Sequence, residues 1–482
     1  MKRKFVTNLI LLLFLNLLIK PIWIFGIDLR VQNIVGDQSY GLYFALFNFS
    51  MILNILLDVG ITNYNNRNIA QHNYLLPKHL SNIVGLKFLL AIVYAVFVLV
   101  IAAIIGYDKV QFHLLFFLIF NQFLISFTLY LRSNISGLHL FRTDSIISVL
   151  DRSFMIIICG VLLFTNILKT QFTIEWFVYA QTAAYVITTI ITFAVVLKKS
   201  GRIKIRFNLK FFLVFLRKSY PYALLILLMS FYNRIDSVML ERLLPDPIGK
   251  EQAGIYAHSF RLLDAVSMFG VLFAGLLLPI FAKMIKQKES VGQMVQLSYT
   301  LLIVPAIIIA ISSIYYSGEI MDVLYTSNTE NSSGILGILM TGFIGIATTY
   351  IFGTLLTANG SMKYLNIMAF SAMVLNIVLN LILIPRFYAF GSAYASLATQ
   401  IFTGAIQVVL VFVIFKLRLN LKFIFQLLMF VGVVAVFGTV SKNIDNWFYG
   451  YIAMISASIL FAFIFKLFNL KDLYQIVMGK QV

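Results

Sequence analysis

The sequence predicts an all-α integral membrane protein of about fourteen transmembrane helices, arranged as two pseudo-symmetric six-helix lobes followed by two C-terminal helices. Three observations carry this prediction: a composition that water cannot solvate, a succession of apolar windows long enough to cross a bilayer, and a motif that recurs in the second half. Of the 482 residues, 61% are apolar and 11% charged, and the mean hydropathy is +0.94. Soluble domains carry roughly 45–50% apolar and 25% charged residues, so this chain is solvated by lipid. A spanning helix takes about 20 apolar residues, and the apolar content suffices for roughly fourteen with little left over.

The windows fall at 5–27, 40–63, 83–106, 112–131, 146–164, 174–197 and 220–244, then at 254–282, 298–316, 334–356, 365–384, 387–415, 423–440 and 449–467. An even number places both termini on one side. With the N-terminus inside, the inner segments hold most of the chain's 37 Lys and Arg, as cytoplasmic loops do. These include Lys2, Arg3 and Lys4, the cluster Lys198, Lys199, Arg202, Lys204, Arg206, Lys210, Arg217 and Lys218, and the later Lys283, Lys286, Lys288, Arg418, Lys471 and Lys480. Arg67 and Arg132 read as helix-end cations that snorkel to lipid phosphate. The net charge of +19 then follows from topology and contact with anionic lipid, and nucleic acid is not an expected partner. The opening Met1-Lys2-Arg3-Lys4 resembles a secretory signal but lacks the small residues of a cleavage site, so an uncleaved first span is expected.

Catalytic chemistry finds little support. The lone Cys159 lies in an apolar stretch, the five histidines show no metal-ligand spacing, and neither a metal nor a cofactor is expected. The longest polar connections, about 20 residues, leave no room for an extramembrane catalytic domain, so the chain reads as no enzyme.

The repeat is short. Gly36-Asp37-Gln38-Ser39-Tyr40-Gly41-Leu42-Tyr43 returns as Gly249-Lys250-Glu251-Gln252-Ala253-Gly254-Ile255-Tyr256, each copy leading into a helix of the same direction. Parallel repeats of this kind build two-lobed transporters. The expected division is an N-lobe over 1–210 ending in the basic linker, a C-lobe over 211–415, and two further spans with a tail over 416–482.

These blocks, with Leu57-Asp58-Val59-Gly60, Asn233-Arg234-Ile235-Asp236, Leu356-Thr357-Ala358-Asn359-Gly360 and Leu375-Asn376-Ile377-Val378-Leu379-Asn380, resemble the polysaccharide and O-antigen flippases. Those belong to the multidrug/oligosaccharidyl-lipid/polysaccharide exporter superfamily. One departure is Phe390-Gly391-Ser392-Ala393, where the family more often shows Gly-Ala-Ala; Ser392 is small enough to keep the packing. The resemblance implies two helical bundles around a central cavity. It also implies translocation of an undecaprenyl-pyrophosphate-linked oligosaccharide from the inner to the outer leaflet of the bacterial cytoplasmic membrane, while the Lys and Arg distribution is what puts both termini in the cytoplasm. The implied partners are that polyprenyl-pyrophosphate oligosaccharide, membrane lipids and polysaccharide assembly proteins.

A pyrophosphate needs a polar path, because moving an ionised group into hydrocarbon nominally costs tens of kcal/mol. Charges inside spans mark such paths, since they usually face a bundle interior or aqueous cavity. Arg234 lies roughly 15 Å from the end of its window at 1.5 Å per residue, and Arg261 is at a similar depth. The repeat offset carries Arg234 onto Pro21 beside Lys20, where the proline loosens the helix. Lys20, Arg234 and Arg261 are therefore candidates for a cationic collar, arginine offering forked donors that suit phosphate. Asn233, His258 and Arg152 are candidates beside them, and Asp58, Asp236 and Asp264 for ion coupling. The alternative pairs Arg261 with Asp264 and Arg234 with Asp236 or Asp58, and lets Lys20 snorkel outward. Asp151 and Arg152 either line the cavity or form a closed pair. Three polar rows, Gln122/Ser126/Tyr130, Asn54/Asp58 and Ser396/Gln400/Thr403, serve either sugar hydroxyls or interhelical bonds.

No phosphate-cradling G-x-x-x-x-G-K-[ST] loop occurs, and an anion leaving a negative interior gains about 2.3 kcal/mol per charge per 100 mV. Rocking of the lobes without nucleotide hydrolysis is the expected mechanism. A lipid II-type flippase is a near alternative and an ion-coupled multidrug antiporter a further one, though the latter favours a cavity of carboxylates. A membrane polysaccharide polymerase or ligase is more distant, for want of a large outer loop.

Overall fold

In hydrocarbon every backbone N–H and C=O must find its partner inside the segment, so windows this apolar fold as helices. The computed structural model describes residues 14–165, 171–201, 209–417 and 420–468, and its regular structure there is helical throughout. Lys2, Arg3, Lys4, Arg202, Lys204, Arg206, Arg418, Lys471 and Lys480 lie outside the described residues. A helical run over 14–20 passes into a π-helical turn, Ile22–Asp28, directly after Pro21. Then follow α1 (Leu29–Ile52), α2 (Ile61–Gln71), α3 (Leu76–Ile105), α4 (Lys109–Gly137), α5 (Phe141–Phe164), α6 (Ile174–Ser200), α7 (Leu209–Leu243) and α8 (Ile248–Lys286). After these come α9 (Gly292–Leu324), α10 (Thr329–Ala358), α11 (Met362–Phe415), α12 (Leu421–Ser441) and α13 (Trp447–Ile464).

Two of these are hairpins of two helices with almost no connection. In α1 the chain reverses at Gly36 (φ 78°, ψ 167°), and in α11 at Tyr388 (φ 53°, ψ −130°), three residues after Pro385. Eleven described helices are long and apolar enough to cross a membrane. With the two hairpins read as pairs, each of the fourteen windows has a helical counterpart. The chain is an all-α, multi-pass membrane protein.

It divides into two compact units, Met1–Gly254 and Ile255–Val482, a boundary well beyond residue 210. Contacts of α1 with α7 and the start of α8 draw those segments into the first unit. In that unit, Leu80, Ile83, Val84, Tyr130, Leu131, Ile147 and Val196 form a core shared by α3, α4, α5 and α6. Outward-facing residues are as apolar as buried ones: Ile104 is 80% exposed, as expected of a lipid-facing side chain. Asp108 caps α4 in a reciprocal box with Gln111, whose Nε2 also donates to Glu241 Oε1 at 2.7 Å. Arg242 grips the same carboxylate and stacks over the Tyr107 ring at 4.2 Å. Burial, then the Glu241 charge, holds the Tyr107 hydroxyl above the usual phenol range.

In the second unit, Ser259 donates to the Ser332 carbonyl at 2.6 Å, joining α8 to α10, and Tyr316 donates to Ser441 Oγ at 2.8 Å, joining α9 to α12. The two arms of α11 pack closely at Gly391, where a Cβ would press on the Leu383 carbonyl at 2.5 Å.

Candidate functional site

In the first unit, the two repeat motifs meet. A Cβ on Gly41 would collide with the Lys250 carbonyl, and one on Gly254 would collide with the Asp37 carbonyl. The contact is reciprocal: each motif's second glycine lies on the backbone four residues before the other's. Only glycine allows two helix backbones this close. Just beyond it, Asn48 Nδ2 donates to Ser237 Oγ at 2.9 Å, and Arg234 Nη1 reaches Asn48 Oδ1 at 3.4 Å. Asn48, Asp236 and Ser237 are buried, while Asn233 and Arg234 are half-buried. Asp236, Asn233 and Arg234 have further interactions within the fold.

A second group surrounds the π turn. Widened turns of this kind frequently occur at functional sites. Lys20 stands at its head, half-buried, with Arg152 and Asp151 as its electrostatic neighbours. No carboxylate lies within salt-bridge distance of Lys20 among the described residues. Arg152 stacks over the Trp23 ring at 5.5 Å, and its Nε lies 3.8 Å from Asp151 Oδ2, too far for a tight pair. Lys20 and Arg152 thus bring two neighbouring cations to this turn, with Asp151 beside them. Trp23 is fixed in turn by stacking on Phe177. At the other end of the turn, Asp28 is buried and accepts from Tyr40 Oη at 2.9 Å.

The sequence reading overlooked a third group. Residues 53–60 break the helix between α1 and α2: a short 3₁₀ turn, Asn54–Leu57, leads to Val59 (φ 45°) and Gly60 (φ 85°), both left-handed. Left-handed backbone is unusual for a β-branched residue, so the surroundings must hold it. Lys87, 1% exposed on α3, does so. Its Nζ donates to the Leu57 carbonyl at 2.9 Å, to Asp58 Oδ1 at 2.6 Å and to Ser126 Oγ at 3.1 Å. Asp58 also caps α2, accepting from the Thr62 amide at 3.3 Å and the Thr62 hydroxyl at 2.5 Å. Asp58 therefore pairs with Lys87, which leaves Asp236 as the carboxylate of the alternative reading for Arg234. An Asp-x-Gly triplet inside an otherwise apolar window was the available signal for this break.

Other expectations also change. Arg132 pairs with Asp144 at 2.8 Å instead of snorkelling to lipid. Gln122 and Ser126 bond to Ser50 Oγ and the Leu57 carbonyl, so that row joins helices. In the second unit, His258 is 1% exposed, stacked on Tyr325 with centroids 3.9 Å apart, so its ring is part of the interior packing. Arg261 and Asp264 are half-buried, each with interactions inside the fold. Ser392 does more than keep a small volume: its hydroxyl donates to Asn380 Oδ1 at 2.8 Å, and Asn380 Nδ2 donates to the Asn376 carbonyl at 3.0 Å.

Solved membrane-protein structures share this fold. A lipid II flippase, MurJ, in an inward closed conformation, aligns with a TM-score of 0.73 at 17% identity, over 96% of this chain and 100% of that one. An inward-facing multidrug resistance MATE family transporter of the MOP superfamily aligns at 0.61 and 14% identity, over 83% and 94%. A MOP superfamily transporter from Pyrococcus furiosus, described by the reverse polarity of its binding pocket, aligns at 0.56 and 14% identity, over 85% and 93%. At such identities the likeness defines the fold, which is that of the MOP superfamily. The family model described as polysaccharide biosynthesis protein matches residues 5–285, and the chain belongs to that family. No curated protein matches it in sequence.

Proposed function

We propose that this protein is a flippase that moves a polyprenyl-pyrophosphate-linked oligosaccharide repeat unit from the inner to the outer leaflet of the bacterial cytoplasmic membrane, with both termini cytoplasmic. The pyrophosphate is met by the intramembrane cations Lys20, Arg152 and Arg234 of the first unit, and in the second unit, taken by itself, Arg261 is a further candidate. The observation that carries this reading is the neighbouring pair of cations Lys20 and Arg152 at the π turn, with no carboxylate within salt-bridge distance of Lys20 among the described residues. A bare cation there is costly, about 2.5–3.5 kcal/mol on insertion scales, unless an anion or water meets it. Arg152 held against Trp23 keeps its fork oriented, which reduces the entropy lost on gripping phosphate. The sugar remains in the polar path, and the prenyl chain stays in lipid.

Family membership supports the lipid-linked glycan, and the charge sign favours it over cationic drugs. The membrane potential favours outward movement of a doubly charged head group by several kcal/mol, at about 2.3 kcal/mol per charge per 100 mV. The test is reconstitution into vesicles with a labelled polyprenyl-pyrophosphate oligosaccharide, scoring leaflet exchange. Arg234→Ala, Arg261→Ala and Arg152→Ala are each expected to lower the rate at least about tenfold, equivalent to about 1.4 kcal/mol of barrier. Unimpaired exchange in all three would refute the cationic path. Export of a cationic dye with no glycolipid movement would instead establish an antiporter.

A further inference from the structure

We propose that the break in the helix between α1 and α2 is a monovalent-cation site that the chain fills with its own lysine. Discontinuous membrane helices hold coupling ions with unwound carbonyls and half-helix ends, and non-helical backbone at membrane depth persists only where something satisfies it. Here the 3₁₀ turn Asn54–Leu57 ends with the Leu57 carbonyl directed at Lys87 Nζ, 2.9 Å away. Asp58 supplies a carboxylate oxygen at 2.6 Å and Ser126 a hydroxyl oxygen at 3.1 Å. Ser126 also donates its own proton to the Leu57 carbonyl at 3.3 Å, so its lone pairs face the ammonium.

The three N–H groups of Lys87 meet three oxygens, one of them anionic. That donor set, a backbone carbonyl, a carboxylate and a hydroxyl, is one that hard cations take. The positive charge lies at the end of one half-helix, and the carboxylate caps the start of the next. Each is the favourable sign for its helix dipole. The Tyr130 ring, 5.9 Å from Nζ, adds its negative face. Lys87 is 1% exposed and Asp58 24%, so the cage is sealed on the lysine side and open on the aspartate side. A small cation could reach the oxygens by that side if the side chain of residue 87 were cut back. Asp58 is thus already neutralised, and this break needs no ion from solution.

The test is thermal unfolding of the full-length protein in lipid nanodiscs, with chloride salts of choline, sodium, potassium and ethylammonium at equal ionic strength. Choline is too large for the cage and serves as the reference. Lys87→Ala is expected to gain about 3 °C or more in sodium, potassium or ethylammonium beyond any gain the wild type shows, because a ligand that binds only the folded state raises its midpoint. Lys87→Ala/Asp58→Asn, which removes the anionic oxygen, is expected to lose that gain. A gain in Lys87→Ala no larger than in the wild type, or one that persists undiminished in the double variant, would overturn the proposal. If Lys87→Ala cannot be purified in choline, recovery of monodisperse protein in one of the small cations supports the site, and failure in all of them overturns it. No transported lipid enters this measurement, so its failure is distinguishable from failure of the flippase reading.

Discussion

Lys87 and Lys20 are both held inside the first unit, and their surroundings differ in one respect that decides what each can do. Lys87 has an acceptor for every donor: a carbonyl, a carboxylate and a hydroxyl, all within 3.1 Å. Lys20 shares its neighbourhood with a second cation, Arg152, and with an aspartate that lies 3.8 Å from that arginine. The first assembly is electrically closed and holds a broken helix in one shape. In the second, Lys20 stands beside a like charge with no carboxylate in salt-bridge reach among the described residues, and such a cation in a membrane bundle draws an anion. A buried charge is informative through what is left after its neighbours are counted, and two lysines of one bundle can have opposite roles.

The sharpest way to break the comparison is to remove the closed charge. Lys87→Met leaves Asp58 without its counter-ion and the Leu57 carbonyl without a donor. Loss of one partner of a buried pair costs about 3–5 kcal/mol, and the partial exposure of Asp58 places the expected loss near about 3 kcal/mol by thermal unfolding. A loss under about 1 kcal/mol would mean that the surrounding packing holds the break without it.

Next in size is the reciprocal glycine contact. Gly254→Val forces a side chain against the Asp37 carbonyl, and overpacking of this kind costs about 1–3 kcal/mol. Unchanged stability would show that α1 and α8 can separate without loss. Smaller still is Asn48→Ala, which removes the bond to Ser237. Interhelical hydrogen bonds in membranes average about 0.6 kcal/mol, so a destabilisation well under about 2 kcal/mol is expected, read against Ser237→Ala in a double-mutant cycle. The smallest effect belongs to Arg132→Ala, whose partner Asp144 is partly exposed; about 0–1 kcal/mol is expected, with exchange in vesicles unaltered.

How much of this could be read from the sequence depended on the range of the interaction. The apolar windows were legible because backbone satisfaction in lipid is local: each helix answers for its own hydrogen bonds. The motif pair Gly36–Tyr43 and Gly249–Tyr256 was legible as a repeat, but the contact of Gly41 with Lys250 was not, since no periodicity says which backbones approach. Lys87 was hidden for the same reason. It lies on α3 together with Lys78, directly before an apolar run that continues to Ile105. Its partner Asp58 is 29 residues away, and the carbonyl it holds is freed by a break that an apolar window conceals. Arg132 read as a snorkelling residue because Asp144 lies on the next helix. Conversely, Pro21 correctly marked a loosened helix, because a missing N–H acts on its own turn.

The account turns on the neighbouring cations Lys20 and Arg152 being a head-group site, and native mass spectrometry of the purified protein tests this most directly. The wild type and Lys87→Arg are predicted to retain an added polyprenyl-pyrophosphate oligosaccharide, and Lys20→Gln/Arg152→Gln to lose at least about nine-tenths of that retention, as removal of about 1.4 kcal/mol of binding would give, with its unfolding midpoint unmoved. Equal retention by the double variant and the wild type would contradict the account.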